Sequence, residues 1–214
     1  MSRIEVKICG LSTAETLAAA MRRGASHVGF VHFPHSPRHV DLEKLAGLAK
    51  HAPSHVGRVA VLVDPDDALI DALIAPAILT ALQLHGKETP LRIAEIAART
   101  GLEIWRAVSV KHAGDIAGAS AYDGAAHRIL FDAKTPEGAA LPGGMGLRFD
   151  WALLRGYRGA TPWGVSGGLD ADNVAQAIAE TGAPMVDVSS GVERAPGVKD
   201  VDKIAAFCKA VATS

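Results

Sequence analysis

Net charge is nearly absent from this 214-residue sequence: 22 lysines and arginines stand against 23 aspartates and glutamates, a formal -1 at pH 7. Nucleic acid and anionic membrane surfaces both need a basic face, so composition favours neither, and a small-molecule partner is expected. Long apolar runs are missing too. No stretch approaches the roughly 20 apolar residues of a membrane span, and the opening MSRIEVKICG lacks the apolar core of a leader; the expected location is the cytoplasm. Cysteine is scarce, with Cys9 and Cys208 alone, and in a reducing compartment both read as thiols rather than a disulfide. Neither solenoid repeats nor low-complexity linkers interrupt the chain. With 49% apolar and 21% charged residues, the balance is that of an ordinary globular protein, and one domain over residues 1–214 is expected.

What is present is an alternation. Short β-branched runs lie near Arg3–Ile8, His27–Phe33, Gly57–Val63, Ile78–Leu84, Leu102–Ser109, His127–Phe131, Thr161–Val165 and Met185–Val188. Between and after them come segments of helical period: Thr13–Arg23, Leu42–His51, Asp67–Ala75, Leu91–Arg99, Lys111–Gly118, Asp150–Arg155, Ala171–Glu180 and Asp200–Val211, several closed by glycine, as at Gly24, Gly101 and Gly182. Repeated βα units imply a parallel sheet. Their number and the chain length predict an α/β fold, a (β/α)₈ or TIM barrel, over a doubly wound open sheet, which more often has five or six strands. One connection, Ala133 to Leu147, is too long for a simple turn. It follows the sixth strand at the face where such barrels carry their sites, so it reads as a binding loop.

Strand alternation sends Ile4, Val6 and Ile8 to one face and Glu5, Lys7 and Cys9 to the other. The aliphatic set suits the helix layer, which turns the polar set into the barrel, where charges persist only with partners. Strand eight neighbours strand one on closure, making Asp187 the expected partner of Lys7. Cys9 ends its strand beside Lys7 and ahead of a helix, two influences that lower a thiol's pKa, so a thiolate base is expected. Cys208 shares a helical face with Val201, Ile204, Ala205 and Val211 and reads as packing. In the sixth strand Arg128, Leu130 and Asp132 share a face, and Asp132 ends it at the barrel mouth, opposite Cys9, where a carboxyl reads as an acid. Three glycine sets follow strands six, seven and eight: Gly143-Gly144-Met145-Gly146, Gly167-Gly168 and Ser189-Ser190-Gly191. Main-chain N–H groups in such turns bind anions, and the last two loops are the recurrent phosphate site of this barrel. Arg38, after strand two, is then available for a carboxylate.

Two other motifs are set aside. Gly164–Gly168 matches the G-x-S-x-G elbow, but the last histidine is His127, before Ser166, against the hydrolase order. Nine histidines, dense around His32–His39, include no H-x-x-x-H pair on an expected helix with a third ligand, and no metal is expected.

In order along the chain, KICG (Lys7–Gly10), SPR (Ser36–Arg38), LQLHG (Leu82–Gly86), FD (Phe131–Asp132), PGG-x-G (Pro142–Gly146), GGL-x-x-x-NV (Gly167–Val174), DVSSGVE and PG-x-KD (Asp187–Asp200) resemble the phosphoribosylanthranilate isomerase family. The resemblance implies an Amadori rearrangement without a cofactor, with Cys9 as base, Asp132 as acid and Arg38 on the anthranilate carboxylate. It also implies Gly144, Met145, Gly146, Gly167, Gly168, Ser189, Ser190 and Gly191 around the phosphate, and Lys7, His85 and Asp187 in support. Met145 stands where the family usually has threonine, Ala171 where it has proline, Ser166 where it has alanine and Asp64 where it has asparagine. The alternatives are another phosphosugar aldose-ketose isomerase, which resembles a two-aspartate pattern that Cys9 opposes, and a non-catalytic phosphosugar-binding protein. A homodimer and a monomer are both compatible with this reading.

Overall fold

The computed structural model describes residues 3–76, 78–133 and 146–214. Eight parallel strands close into a barrel in sequence order: β1 (Glu5–Cys9), β2 (His27–Val31), β3 (Gly57–Leu62), β4 (Ala81–Leu84), β5 (Glu103–Val110), β6 (Arg128–Ala133), β7 (Trp163–Val165) and β8 (Met185–Val188). The closing seam pairs Lys7 with Asp187, and Cys9 lies opposite Gly29 on β2.

Helices α1 (Ala14–Arg22), α2 (Leu42–Ala49), α3 (Asp67–Ile74), α4 (Pro90–Thr100), α5 (Ala113–Gly118), α6 (Val174–Thr181) and α7 (Val201–Ala212) surround it. Their starts are written locally: the side chains of Thr13, Asp41, Asp66, Thr89 and Asp200 accept from first-turn N–H groups. Among the described residues, no helix is long and apolar enough to cross a membrane.

Two expected helices differ. The segment at Asp150–Arg155 is one 3₁₀ turn, Trp151–Leu154, because Arg155 leaves the helical region (φ -57°, ψ 119°) and Gly156 takes φ 73°. The helix expected from Ala171 starts at Val174, since Asp170 Oδ1 accepts from the N–H groups of Asp172 and Asn173 and holds residues 170–173 as a turn. An unexpected hairpin follows β8: β9 (Glu193–Ala195) pairs antiparallel with β10 (Val198–Lys199).

The core has two layers, as the alternation requires. Val6, Ile8, Val28, Phe30, Ala60 and Leu62 pack outward with the helices, whereas Val59, Ala81, Trp105, Leu130 and Met185 fill the barrel. Below them Glu5 pairs with Arg128 at 2.8 Å, and the Arg128 guanidinium lies 4.9 Å from the Trp105 ring centre. This plug shuts the N-terminal end. The strand ends above it are left to form a site.

Candidate active site

The open end of the barrel holds a cleft of ≈ 730 Å³, open solvent at its mouth included, lined by Cys9, Asp132, Asp187, Arg38, Gln83, His85, Ser166, Gly167, Gly168, Ser189 and Ser190 under an apolar wall of Val31, Phe33, Val61 and Val63. Each polar member comes from a strand end or the loop after it. Strand period selects the inward residue, and closure brings together side chains up to 180 positions apart, as for Lys7 and Asp187.

Lys7 is fully buried and donates to Asp187 Oδ2 at 2.9 Å, the pairing expected from the seam. Asp187 Oδ1 and Gln83 Oε1 are buried acceptors without a hydrogen-bond partner among the described residues. Space for Lys7 and Cys9 comes from Gly29: a Cβ there would lie 2.9 Å from Cys9 Sγ and 3.1 Å from Lys7 Nζ. Sequence reasoning passed over Gly29, although a glycine within a strand signals close approach. It also passed over Gln83, a polar residue in a fully buried strand.

The electrostatics correct one expectation. Burial pushes the Cys9 thiol up, against the opposing pull of Lys7, and Asp187 pushes it further. A thiol below the ordinary value was expected because strand spacing shows the neighbouring ammonium but not the loss of solvent. The Asp132 carboxyl is raised as well. Burial first, then the charge of Asp187, raises its carboxyl from 3.8 to about 7, while its Oδ1 accepts from Ala133 N–H at 2.8 Å. His85 is pushed down to about 3 by burial and by Lys7 and Arg106, so it lines the cleft as a neutral ring, 2.7 Å from Gln83 Nε2.

Arg38 is the second correction. Expected as available, it is buried and bidentate to Glu193, with Nε–Oε1 at 2.7 Å and Nη2–Oε2 at 2.8 Å. The hairpin that supplies Glu193 has the glycine, proline and charge of a plain loop, which hid it.

Among the glycines expected around the phosphate, Gly167 (φ 84°) and Gly168 (φ 64°) make the turn after β7. A Cβ at Gly167 would sit 2.6 Å from Asp132 Oδ1, so this turn fits only a residue without a side chain. Ser190–Val192 forms a 3₁₀ turn after β8 that includes Gly191, and Ser189 Oγ donates to Cys9 O at 3.2 Å. Gly146 is exposed, with its Cα near Ser190 as judged by a Cβ position 3.5 Å from Ser190 Oγ. Gly144 and Met145 lie outside the described residues. Ser166 is buried with Oγ 3.3 Å from Phe131 O, in the floor beside Asp132. Cys208 packs in the outer core, and burial pushes it up to about 11. Among the described residues no group of three or more His, Cys, Asp or Glu could hold a metal ion.

A closed (β/α)₈ barrel with a carboxylic acid and a thiol in one cleft, beside glycine turns after β7 and β8, is the frame of a barrel isomerase working by proton transfer on a phosphorylated small molecule. Comparison with known proteins narrows the class. The family model for N-(5'-phosphoribosyl)anthranilate isomerase matches residues 6–210. The N-(5'-phosphoribosyl)anthranilate isomerase of Zymomonas mobilis subsp. mobilis is 53% identical over 209 residues, covering 97% of this chain and 98% of its own, and that of Cereibacter sphaeroides is 51% identical over 207 residues with the same coverage. The solved phosphoribosyl anthranilate isomerase of Thermotoga maritima superposes with a TM-score of 0.88 at 36% identity, over 99% of this chain and 100% of its own. Another solved isomerase, in complex with reduced 1-(o-carboxyphenylamino)-1-deoxyribulose 5-phosphate, gives 0.85 at 34% identity, over 99% and 100%. The chain belongs to the N-(5'-phosphoribosyl)anthranilate isomerase family.

Proposed function

We propose that this chain, as one catalytic domain, converts N-(5'-phosphoribosyl)anthranilate to 1-(2-carboxyphenylamino)-1-deoxyribulose 5-phosphate in tryptophan biosynthesis, with Asp132 as general acid and Cys9 as general base. The observation that carries these roles is the placement of a buried carboxyl, Asp132, raised to about 7, in the same cleft as the Cys9 thiol. Protonation of the ribose ring oxygen by Asp132 breaks its bond to C1′, and the nitrogen lone pair forms the Schiff base. Cys9 thiolate then takes the C2′ proton, the C–H pair makes the enolamine, and tautomerisation gives the ketone. Hydrogen moves within one substrate, so no cofactor enters.

Burial keeps the resting thiol protonated, and the reactive thiolate with protonated Asp132 is a minority form. Lys7 and Lys199 favour it. Gly146, Gly167, Gly168, Ser189, Ser190 and Gly191, with Gly144 and Met145, hold the phosphate, and binding it away from the reacting carbons supplies orientation. Arg38 receives the anthranilate carboxylate on Nη1, which has no partner among the described residues. His85, Lys7 and Asp187 brace the site, and the open acceptor of Asp187 suits a ribose hydroxyl. The working location is the cytoplasm. The Thermotoga enzyme is described as dimeric, and a homodimer is the first assembly to test by sedimentation.

The test is direct conversion of phosphoribosylanthranilate by the purified protein. No turnover by the wild type would overturn the activity. Wild-type turnover by Asp132→Asn or Cys9→Ala would overturn the roles.

A further inference from the structure

Beside the cleft lies a buried trio of charges, none of which gives or takes a proton in the proposed reaction. Arg38, Glu193 and Lys199 are all buried, and they come from the loop after β2, from β9 and from β10. Glu193 takes both Arg38 bonds, at 2.7 and 2.8 Å, and its Oε1 also accepts from Lys199 Nζ at 2.7 Å. Lys199 donates further to Ser189 O at 2.8 Å and lies 3.1 Å from Ser189 Oγ, tying the hairpin to the loop after β8.

An arginine already paired with a carboxylate is a poor receptor for a second one: the pair is net neutral, and the resident anion repels the incoming group. With Lys199 the count changes. Two cations and one anion leave the trio at net +1, and the same ammonium draws charge from Glu193. Lys203, on the exposed side of α7, donates to the main-chain oxygen of Glu193 at 2.7 Å and lies outside the trio. We propose that Lys199 is a specificity-determining positioning residue, whose charge offsets Glu193 so that Arg38, held rigid by that carboxylate, can still select a substrate bearing an aromatic carboxylate. This deepens, and rests on, the reading of Arg38 as the carboxylate binder.

The readout is a ratio: kcat/KM for phosphoribosylanthranilate divided by kcat/KM for the aniline analogue without the carboxylate. Ionisations of Cys9 and Asp132 act on both substrates and cancel. Lys199→Met, with the pair at net zero, should lower the ratio by about tenfold or more, mainly through KM for the carboxylated substrate, because the buried Glu193 charge then consumes the only remaining cation, Arg38, that the ligand needs. Lys199→Arg should keep the ratio. The double variant Glu193→Gln with Lys199→Met returns the site to +1 and should recover most of it, which a purely structural role for Lys199 would not allow.

The wild type supplies a measurement that needs no variant to fold. Burial lowers Lys199 to about 8, against the pull of Glu193 on β9 and Cys9 on β1 and with the push of Arg38. Loss of that proton removes the trio's net charge, so the ratio should fall as pH rises through about 8. A ratio unchanged both in Lys199→Met and across that pH range, or a double variant no better than the single one, would overturn the proposal. If instead wild type and Arg38→Met treat the two substrates alike, it is the carboxylate reading of Arg38 that fails.

Discussion

Replacing Asp132 by asparagine should make the protein more stable and less active, and the stability gain should depend on pH. The Asp132 carboxyl is raised from 3.8 to about 7, so folding favours its protonated form. A carboxyl raised in this way contributes most at pH values below its unfolded value and loses that contribution as pH rises through its folded value. Near pH 8.5 the wild type carries almost the full cost of an ionised buried carboxylate, about 4 kcal/mol, whereas near pH 5 it carries about 2 kcal/mol. Asparagine never ionises, and its Oδ1 can still accept from Ala133 N–H, the 2.8 Å bond of the wild type.

Urea unfolding of both proteins at the two pH values isolates the titration, because any fixed effect of the amide cancels in the difference. The stability difference, variant minus wild type, should be about 2–3 kcal/mol larger near pH 8.5 than near pH 5. Turnover should fall by about 10²–10⁴-fold with a smaller change in KM, since the lost proton acts in the transition state. A stability difference flat with pH would mean that Asp132 titrates like a solvated carboxylate, and its selection as the acid would lose its physical basis.

Three further perturbations test other parts of the site. Alkylation of Cys9 should be slow at neutral pH, quicken as pH rises because burial holds the thiol protonated, and be blocked by a phosphorylated analogue; peptide mapping that tracks inactivation to Cys208 would refute its role. Lys7→Met strands the Asp187 carboxylate, now 2.9 Å from the ammonium, and should cost about 3–5 kcal/mol by urea unfolding, whereas a loss below about 1 kcal/mol would show that the pair is solvated. Gly29→Ala places a methyl 2.9 Å from Cys9 Sγ and should cost about 1–3 kcal/mol with a clear fall in kcat; unchanged kcat would mean that the thiol's position does not matter.

The expected and observed elements agree where local rules decide them. Caps at Thr13, Asp41 and Asp200 start helices from their own side chains, and Gly101 and Gly182 end them in the left-handed region. They fail where a local pattern is truncated or too plain. Trp151–Leu154 has a helix's apolar spacing but not its length, because Gly156 stops it. The hairpin Glu193–Lys199 has no counterpart among the expected elements, because two short strands with Pro196 and Gly197 between them carry no alternation to detect.

For the site, the sequence alone determined which residues face inward and sit at strand ends, since a period of two and a strand boundary are properties of the chain by itself. That was enough to pick Cys9, Asp132, Lys7 and Asp187. Tertiary structure decided their protonation and their partners. Desolvation depends on everything packed around a group, so it reversed the expected direction at Cys9 and set Asp132 near neutrality. Pairing across 155 positions depends on where two loops land once the barrel has closed, and so Arg38 met Glu193, a contact that no spacing along the chain records.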